Sequence, residues 1–268
     1  MLVFSLVRTL ATIIGVVPAV KSPPPGRAAR ARETRRRLLA SARALFVAQG
    51  YAATTMEQIA AQAGVAVQTV YYGFGTKGRL LCEVVEVTAA GEDAPAPVAQ
   101  RPWAIAMRAA PSAQRVLALG VEHGTAIYER VASLWPAVGA AAAVDSAVEQ
   151  YWRGVAAARR AGMGRMVARV AELGQLRPGL DPARAVDVVA VLVGHDVFRG
   201  LVLDAGWPAP AYKAWLFTTL VHQLLPPGHP DPAALAGLSF GDLVAPAAVP
   251  QPGLSSGASD AGQPDPVR

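Results

Sequence analysis

Apolar positions in the first third of the chain recur at helical and not at strand spacing. Over about 31–48, Leu38, Leu39, Ala42, Leu45 and Phe46 fall on one face with arginines on the other, and Gly50 follows as a stop, which predicts a first helix. Thr54 or Thr55 then supplies an N-cap hydroxyl, with Glu57 and Gln58 three residues on as in a capping box, before a short second helix carrying Ile59, Ala60 and Ala63 and closed by Gly64. The next run, VAVQTVYYGF, reads as a strand by propensity or a helix by context. TKGRLLCEVVEVTAA is helical, with Leu80, Leu81, Val84, Val85 and Thr88 in register.

From about Pro111 the pattern is helical again. It runs through SAQRVLALGVEHGTAIYERVASLW, an Ala-rich stretch over 144–173, then DPARAVDVVAVLVGHDVFRGLVLD and PAYKAWLFTTLVHQLL. Asp181 with Pro182 reads as an N-cap followed by proline at the first helical position. The last two segments are too apolar to face water, which points to a helix-helix interface. An all-α fold follows. Proline is absent between Pro25 and Pro95, so a helical unit over 27–91 is set off from an apolar and Pro-rich extension, 1–26, and from a second helical unit, 92–225; the Pro, Gly, Ser and Asp-rich tail 226–268 is expected to be disordered.

Composition changes this picture in three ways. Charge is localised: residues 27–43 carry Arg27, Arg30, Arg32, Arg35, Arg36, Arg37 and Arg43 against Glu33, an excess equal to the whole chain's +6. Beside a short helix that could grip phosphates, such a run is the footprint of a nucleic-acid binder. Second, Cys82 is the only cysteine and the four histidines, His123, His195, His222 and His229, are scattered, which gives no disulfide framework and no ligand set for a metal. Third, the apolar first twenty residues are split by Arg8 and fall short of the roughly 20 uninterrupted residues a membrane helix needs. An over-extended start site, a disordered or loosely docked extension and an anchor are the three readings of that segment, the first favoured.

Gly73-Phe74-Gly75-Thr76-Lys77-Gly78 spells G-x-G-x-x-G. A dinucleotide-binding turn also needs a buried strand before it, a second parallel strand after it and an acid at that strand's end. AGEDAPAPVAQRPW, a linker, stands where the second strand belongs, and Gln68 and Thr69 interrupt the first. A helix-turn-helix fits instead: Ile59 inward, Ala60 small for close helix approach, Ala63 facing the core, Gly64 at the left-handed turn, Val65 between the helices and Val70 anchoring the second.

These residues resemble the N-terminal DNA-binding domain of the TetR family of bacterial transcriptional regulators. The resemblance covers 31–88, with the helix-turn-helix at about 55–74, and rests on Gly50, Thr55, Ile59, Ala60, Gly64, Val65, Thr69, Tyr71, Phe74, Lys77 and Leu80 at the family's spacing. LRPGLDPARAVDVVAVL and GWPAPAYKAWL look like segments of actinobacterial members. The resemblance implies an all-α protein with a three-helix N-terminal domain and a C-terminal helical domain that binds a small-molecule effector and dimerises, with the apolar faces carrying Val186, Val189, Val193, Trp215, Leu216 and Leu220 favoured for the intersubunit face. It implies a cytoplasmic, homodimeric repressor of a palindromic DNA operator, with no cofactor, no metal and no catalytic residues. Gln68 would read an adenine edge and Val67 a thymine methyl. Thr55, Thr69, Tyr72 and Lys77 would hold phosphates, and Tyr71 would face either the bases or the core. Trp103, His123, Tyr128, Trp135, Tyr151, Trp152, Met163 and Met166 are the aromatic and soft apolar residues from which an effector pocket would be drawn. Two departures from the family pattern stand out: Ala66 replaces an N-cap serine, and Gly73 should loosen the last turn of the reading helix and end it early. The other readings are an NAD-dependent oxidoreductase using GFGTKG and a helical interaction protein that does not bind DNA.

Overall fold

A computed structural model describes residues 25–91 and 100–228. The expectations for the N-terminal extension before residue 25, for the linker 92–99 and for the tail from residue 229 lie outside the described residues. All described elements are helical and no strand occurs among them.

Helix α1, Pro25–Ala53, buries Leu38, Leu39, Ala42 and Phe46, and its regular course breaks at Gly50, whose φ of +78° only glycine adopts without strain. Helix α2, Met56–Ala63, starts under Thr55, whose Oγ1 accepts from the Gln58 amide at 3.2 Å while Gln58 Oε1 accepts from the Thr55 amide at 2.9 Å. The capping box is therefore formed with Gln58. Gly64, at φ +66°, closes α2 in a Schellman turn: its amide donates to Ala61 O at 3.1 Å and the Val65 amide to Ala60 O at 3.0 Å. Context overrides strand propensity in the next run: α3 spans Val67–Phe74 and buries Val70 and Phe74, while Tyr72, which a strand would place on the same face as both, is exposed.

Gly73 does not end α3 early. The helix continues through it to Phe74, and the turn is made by Gly75 at φ +74°. Thr76 then caps helix α4, Lys77–Ala90, by accepting from the Arg79 amide at 3.2 Å. The expected missing cap at Ala66 is present as such: no side chain caps α3.

In the C-terminal part, helices α5 (Pro102–Ala109) and α6 (Ala113–Val131) precede a 3-10 turn, Ala132–Leu134, and α7 (Trp135–Ala142). The long α8 (Ser146–Glu172) starts under Asp145, and α9 (Pro182–Leu192) under Asp181 with Pro182 at its first position. The segment read as one apolar helix breaks after α9. At Gly194 a Cβ would stand 2.8 Å from Val191 O, so the backbone turns where only glycine fits, and a four-residue α10 (His195–Phe198) and a π-helical turn (Arg199–Asp204) follow before α11 (Ala209–Leu224).

Two cores result. One joins α1–α4 to Leu134, Ala137, Val138 and Ala141 of the α7 region and Val148 of α8; the other packs α6, α8, α9 and α11 together. The apolar surplus proposed for an intersubunit face is consumed within the chain: Val189, Val193, Leu216 and Leu220 are buried, and Val186 and Trp215 pack half-buried on the same core. α9 buries Ala185 and Val189 against α8, and α11 buries Leu216 and Leu220 against α6, so these positions are spent inside the chain, which corrects that expectation.

Candidate nucleic-acid interface

Below the motif, Ile59, Ala63, Val70 and Phe74 form a floor that fixes α3 against α1 and α2. That floor leaves one face of α3 outward, carrying Gln68, Thr69, Tyr71 and Tyr72, with Tyr72, at 95%, the most exposed large apolar side chain among the described residues. Tyr71 is 46% exposed, so it belongs to the outer face and not to the core, the choice the sequence left open. Val67 is half-buried at the start of the same helix and Thr55 lies exposed at the start of α2. Thr55 Oγ1 spends its acceptor capacity on the Gln58 amide, which leaves its O–H to donate outward. Gly73 is exposed on α3, and a Cβ there would meet nothing within 4 Å.

Lys77 departs from its expected placement. Its ammonium donates to Tyr51 O at 2.8 Å and Thr54 O at 2.9 Å, and lies 4.3 Å from the centre of the Tyr51 ring. The break at Gly50 leaves carbonyl groups at the end of α1 without helical partners, and a cation is the donor that satisfies them. Lys77 is thus a structural tie between α1 and α4. Arg79, which the sequence did not single out, sets its guanidinium beside Gly75 at the foot of α3. The Thr76 cap, visible as a threonine one residue ahead of an apolar period, was the signal that could have found this turn.

The arginine run divides likewise. Arg35 pairs with Glu83 of α4 at 2.5 Å and covers the Phe74 ring at 5.2 Å, and Arg36 pairs with Glu33 at 2.8 Å. Arg30, Arg32, Arg37 and Arg43 are exposed and have no carboxylate within 4 Å among the described residues.

The motif is bolted to the C-terminal part through α4 and α8. Tyr51 Oη donates to Asp145 Oδ2 at 2.8 Å, and the other oxygen of Asp145 accepts from the Ala147 amide at 3.0 Å. Burial first, then the Asp145 carboxylate, pushes the Tyr51 hydroxyl far above the usual tyrosine range, so this bond keeps its proton. Gly78, in the first turn of α4, lies so close that a Cβ would stand 2.3 Å from Asp145 Oδ2. At the far end of α4, Arg130 of α6 donates to Thr88 O at 3.2 Å and Ala89 O at 2.6 Å. Cys82, in the middle of α4, is pushed up to about 12 by burial and then by Glu86, and stays a thiol.

The residues from which a pocket was drawn separate into groups. Tyr128, Trp135 and Trp152 meet His195 and Phe198 in one aromatic cluster. Trp103 and His123 form a separate stack, with ring centres 3.8 Å apart. Tyr151 packs on the core shared with the helix-turn-helix, and Met163 and Met166 are buried in the C-terminal core, where Met166 Sδ fills the space that Gly120 leaves open. Those three are packing residues. Phe198 and His195 are not legible in the sequence because the Gly194 break, which brings them round, has no periodic signature.

Residues 38–84 match the family model described as bacterial regulatory proteins, tetR family. Over 58 residues the chain is 45% identical to an uncharacterised HTH-type transcriptional regulator, TtgW, of Pseudomonas putida; the match covers 22% of this chain and 43% of that protein, so the chain spans less than half of this curated relative. Among solved structures, a protein of Saccharomonospora viridis described as a transcriptional regulator, in complex with choline, is similar at a TM-score of 0.57 and 17% identity, covering 72% of this chain and 98% of that one. The transcriptional regulator FadR of Bacillus subtilis, in complex with stearoyl-CoA, gives a TM-score of 0.56 at 16% identity, covering 70% of this chain and 98% of that one. The SmeT-triclosan complex gives 0.55 at 20%, covering 73% and 93%. At these identities the solved structures establish the shared fold.

Proposed function

We propose that the chain, whose residues 38–84 match the tetR family of bacterial regulatory proteins, is a ligand-responsive DNA-binding transcriptional regulator of that family, a repressor that grips a palindromic operator as a homodimer. The observation that carries this reading is the outward face of α3, where Gln68, Thr69 and Tyr72 stand over a floor of buried Val70 and Phe74. An α-helix held this way fits the major groove, and two copies would reach successive half-sites. Gln68 is the base-reading residue, Val67 supports it against a thymine methyl, and Thr55, Thr69, Tyr71 and Tyr72 contact the backbone or the bases beside it. Arg79 and the exposed arginines of α1 add sequence-independent attraction. No helix among the described residues is long and apolar enough to cross a membrane, in keeping with a cytoplasmic regulator.

Regulation would run from an effector held by the C-terminal helices to α4 and thence to α3. A small molecule fits this reading because relatives in fold were solved with choline, triclosan and stearoyl-CoA bound. The ends of α4 are held from the C-terminal part by Asp145 and Arg130, so a shift of α6 or α8 moves α4 and biases the two recognition helices toward or away from operator spacing.

The test is gel-shift titration of the full chain on its own promoter region against random DNA of the same length. Specific binding that weakens with salt is expected, and Gln68→Ala should narrow the gap between promoter and random DNA by about 1–3 kcal/mol. Equal affinity of the unaltered protein for both DNAs would overturn the proposal.

A further inference from the structure

Where α6, the start of α7, α8 and the irregular segment after Gly194 meet, a cluster of aromatic rings is joined at one hydroxyl to a guanidinium. The ring of Tyr128 lies 5.6 Å from those of Trp135 and Phe198, and His195 lies 5.3 Å from Trp135 and 5.9 Å from Trp152, centre to centre. Trp135, Trp152 and His195 are half-buried and so form the outer rim, while Tyr128 and Phe198 form the buried base. Into this cluster Arg159 of α8 brings Nη1 to 3.1 Å from Tyr128 Oη, and that hydroxyl gives its own proton to Val193 O at 2.7 Å.

Arg159 is half-buried, and among the described residues no carboxylate lies within 4 Å of it. The acids nearby are engaged elsewhere: Asp187 pairs with Arg160, Asp204 with Arg199, and Asp196 points to His195 with its side chain 81% exposed. A guanidinium carries five N–H donors, and one neutral hydroxyl satisfies only one of them. Holding such a charge half-buried beside the cluster without a counter-ion costs free energy that an arriving anion would recover.

Two further groups point to an absent partner. Tyr212 Oη and Thr125 Oγ1 are buried without a hydrogen-bond partner, although their residues are 0% and 2% exposed. The Tyr212 ring lies 5.3 Å from Phe198, and Thr125 stands one turn before Tyr128 on the same side of α6. The wall itself is irregular: Gly194 breaks the helix where the backbone leaves no room for a Cβ, and a π-helical turn follows Phe198, a feature that recurs at functional sites.

We infer that Arg159 and the rings of Tyr128, Trp135, Trp152, His195 and Phe198 form the effector site, and that the effector is an organic anion, a carboxylate carried on an aromatic or acyl body. The carboxylate pairs with Arg159, the apolar body lies against the two tryptophans and Phe198, and a polar group on the ligand reaches the hydroxyls of Tyr212 and Thr125. Aromatic rings alone would equally suit a quaternary ammonium ion. The guanidinium beside them, bonded to Tyr128 Oη, decides for the opposite charge. The inference rests on the reading of the chain as an effector-responsive regulator.

The test is calorimetric titration of the full chain, without DNA, with 2-naphthoate, dodecanoate, 2-naphthamide and choline. One or both carboxylates should bind at one site per chain, the amide should bind at least about tenfold more weakly than its acid, and choline should give no heat. Arg159→Gln should weaken the carboxylate about tenfold or more while retaining its melting temperature and promoter binding, and Arg159→Lys should recover part of the loss. Should Arg159→Gln fail to fold, the acid and amide compared on the unaltered protein still decide. Silence with both carboxylates, equal binding of acid and amide, tighter binding of choline, or an unchanged affinity in a folded Arg159→Gln would each overturn the inference. Because the titration contains no DNA, promoter binding without carboxylate binding removes this site alone, and carboxylate binding without promoter binding removes the regulator reading alone.

Discussion

Lys77 shows how one side chain can look like a ligand contact and serve as a strut. Its two carbonyl partners close the end of α1, and the Tyr51 ring beneath it adds a cation-π contact. Lys77→Ala is expected to lower the stability of the protein by about 1–3 kcal/mol, read by denaturant melting, because two part-buried carbonyls lose their donor. A melting curve identical to that of the parent would show the ammonium to be dispensable there. At His123 the direction of a pH effect is fixed. Burial, then Arg130 and Arg101, pulls the imidazole down to about 4 from an ordinary 6.5. The unfolded chain therefore binds this proton first, so His123 costs stability progressively as the pH falls from about 6.5 toward about 4 and has no effect above that window. Melting temperatures across that range should fall less steeply for His123→Gln than for the parent, and parallel curves would remove His123 as a cause.

At the scale of elements, α8 is the piece that touches both halves of the chain. Asp145 caps it, Val148 lies against Gly78, Trp152 meets His195, and Arg159 reaches Tyr128; the spacing of 148, 152 and 159 keeps these groups on one face. One rigid helix thus connects the aromatic cluster with the first turn of α4. Tyr51→Phe and Asp145→Asn remove the same bond from either side, and asparagine still caps the helix. Each is expected to cost about 1–2 kcal/mol, with the double variant losing clearly less than the sum. Strict additivity in such a cycle would mean that the bond carries no coupling. Much of the helix-turn-helix was legible in the sequence, because short helices with one buried stripe betray themselves through Val70 and Phe74 and through caps such as Thr55 and Gly64. The short α5 and α7 escaped because α5 buries only Ala104 and WPAVGAAA of α7 has no polar position to set off its buried Ala137, Val138 and Ala141, and α9 and α10 fused into one apolar run because Gly194 breaks it through backbone crowding alone.

For the whole molecule the controlling quantity is where the charge sits. Arg30, Arg32, Arg37 and Arg43 of the N-terminal run are exposed without a carboxylate partner among the described residues, while Arg35 and Arg36, also exposed, pair with Glu83 and Glu33, so the sequence overstated how much of the run's charge is available to phosphate. Replacing Arg30 and Arg32 by glutamine should reduce the slope of log K against log salt by about 0.9 for each phosphate that is no longer neutralised, without altering the preference between promoter and random DNA. A slope that stays the same would place those residues away from the duplex. The candidate effector site was the least legible part, since Tyr128, Arg159 and His195 come from three distant stretches and nothing in their local pattern announces that they meet. Gly73 has the widest consequence. It sits within α3, on the exposed side, with open space wherever a side chain would begin. Any residue placed there would extend the reading surface without disturbing the packing beneath, so a single codon could retune which operators a lineage recognises while its fold is inherited intact.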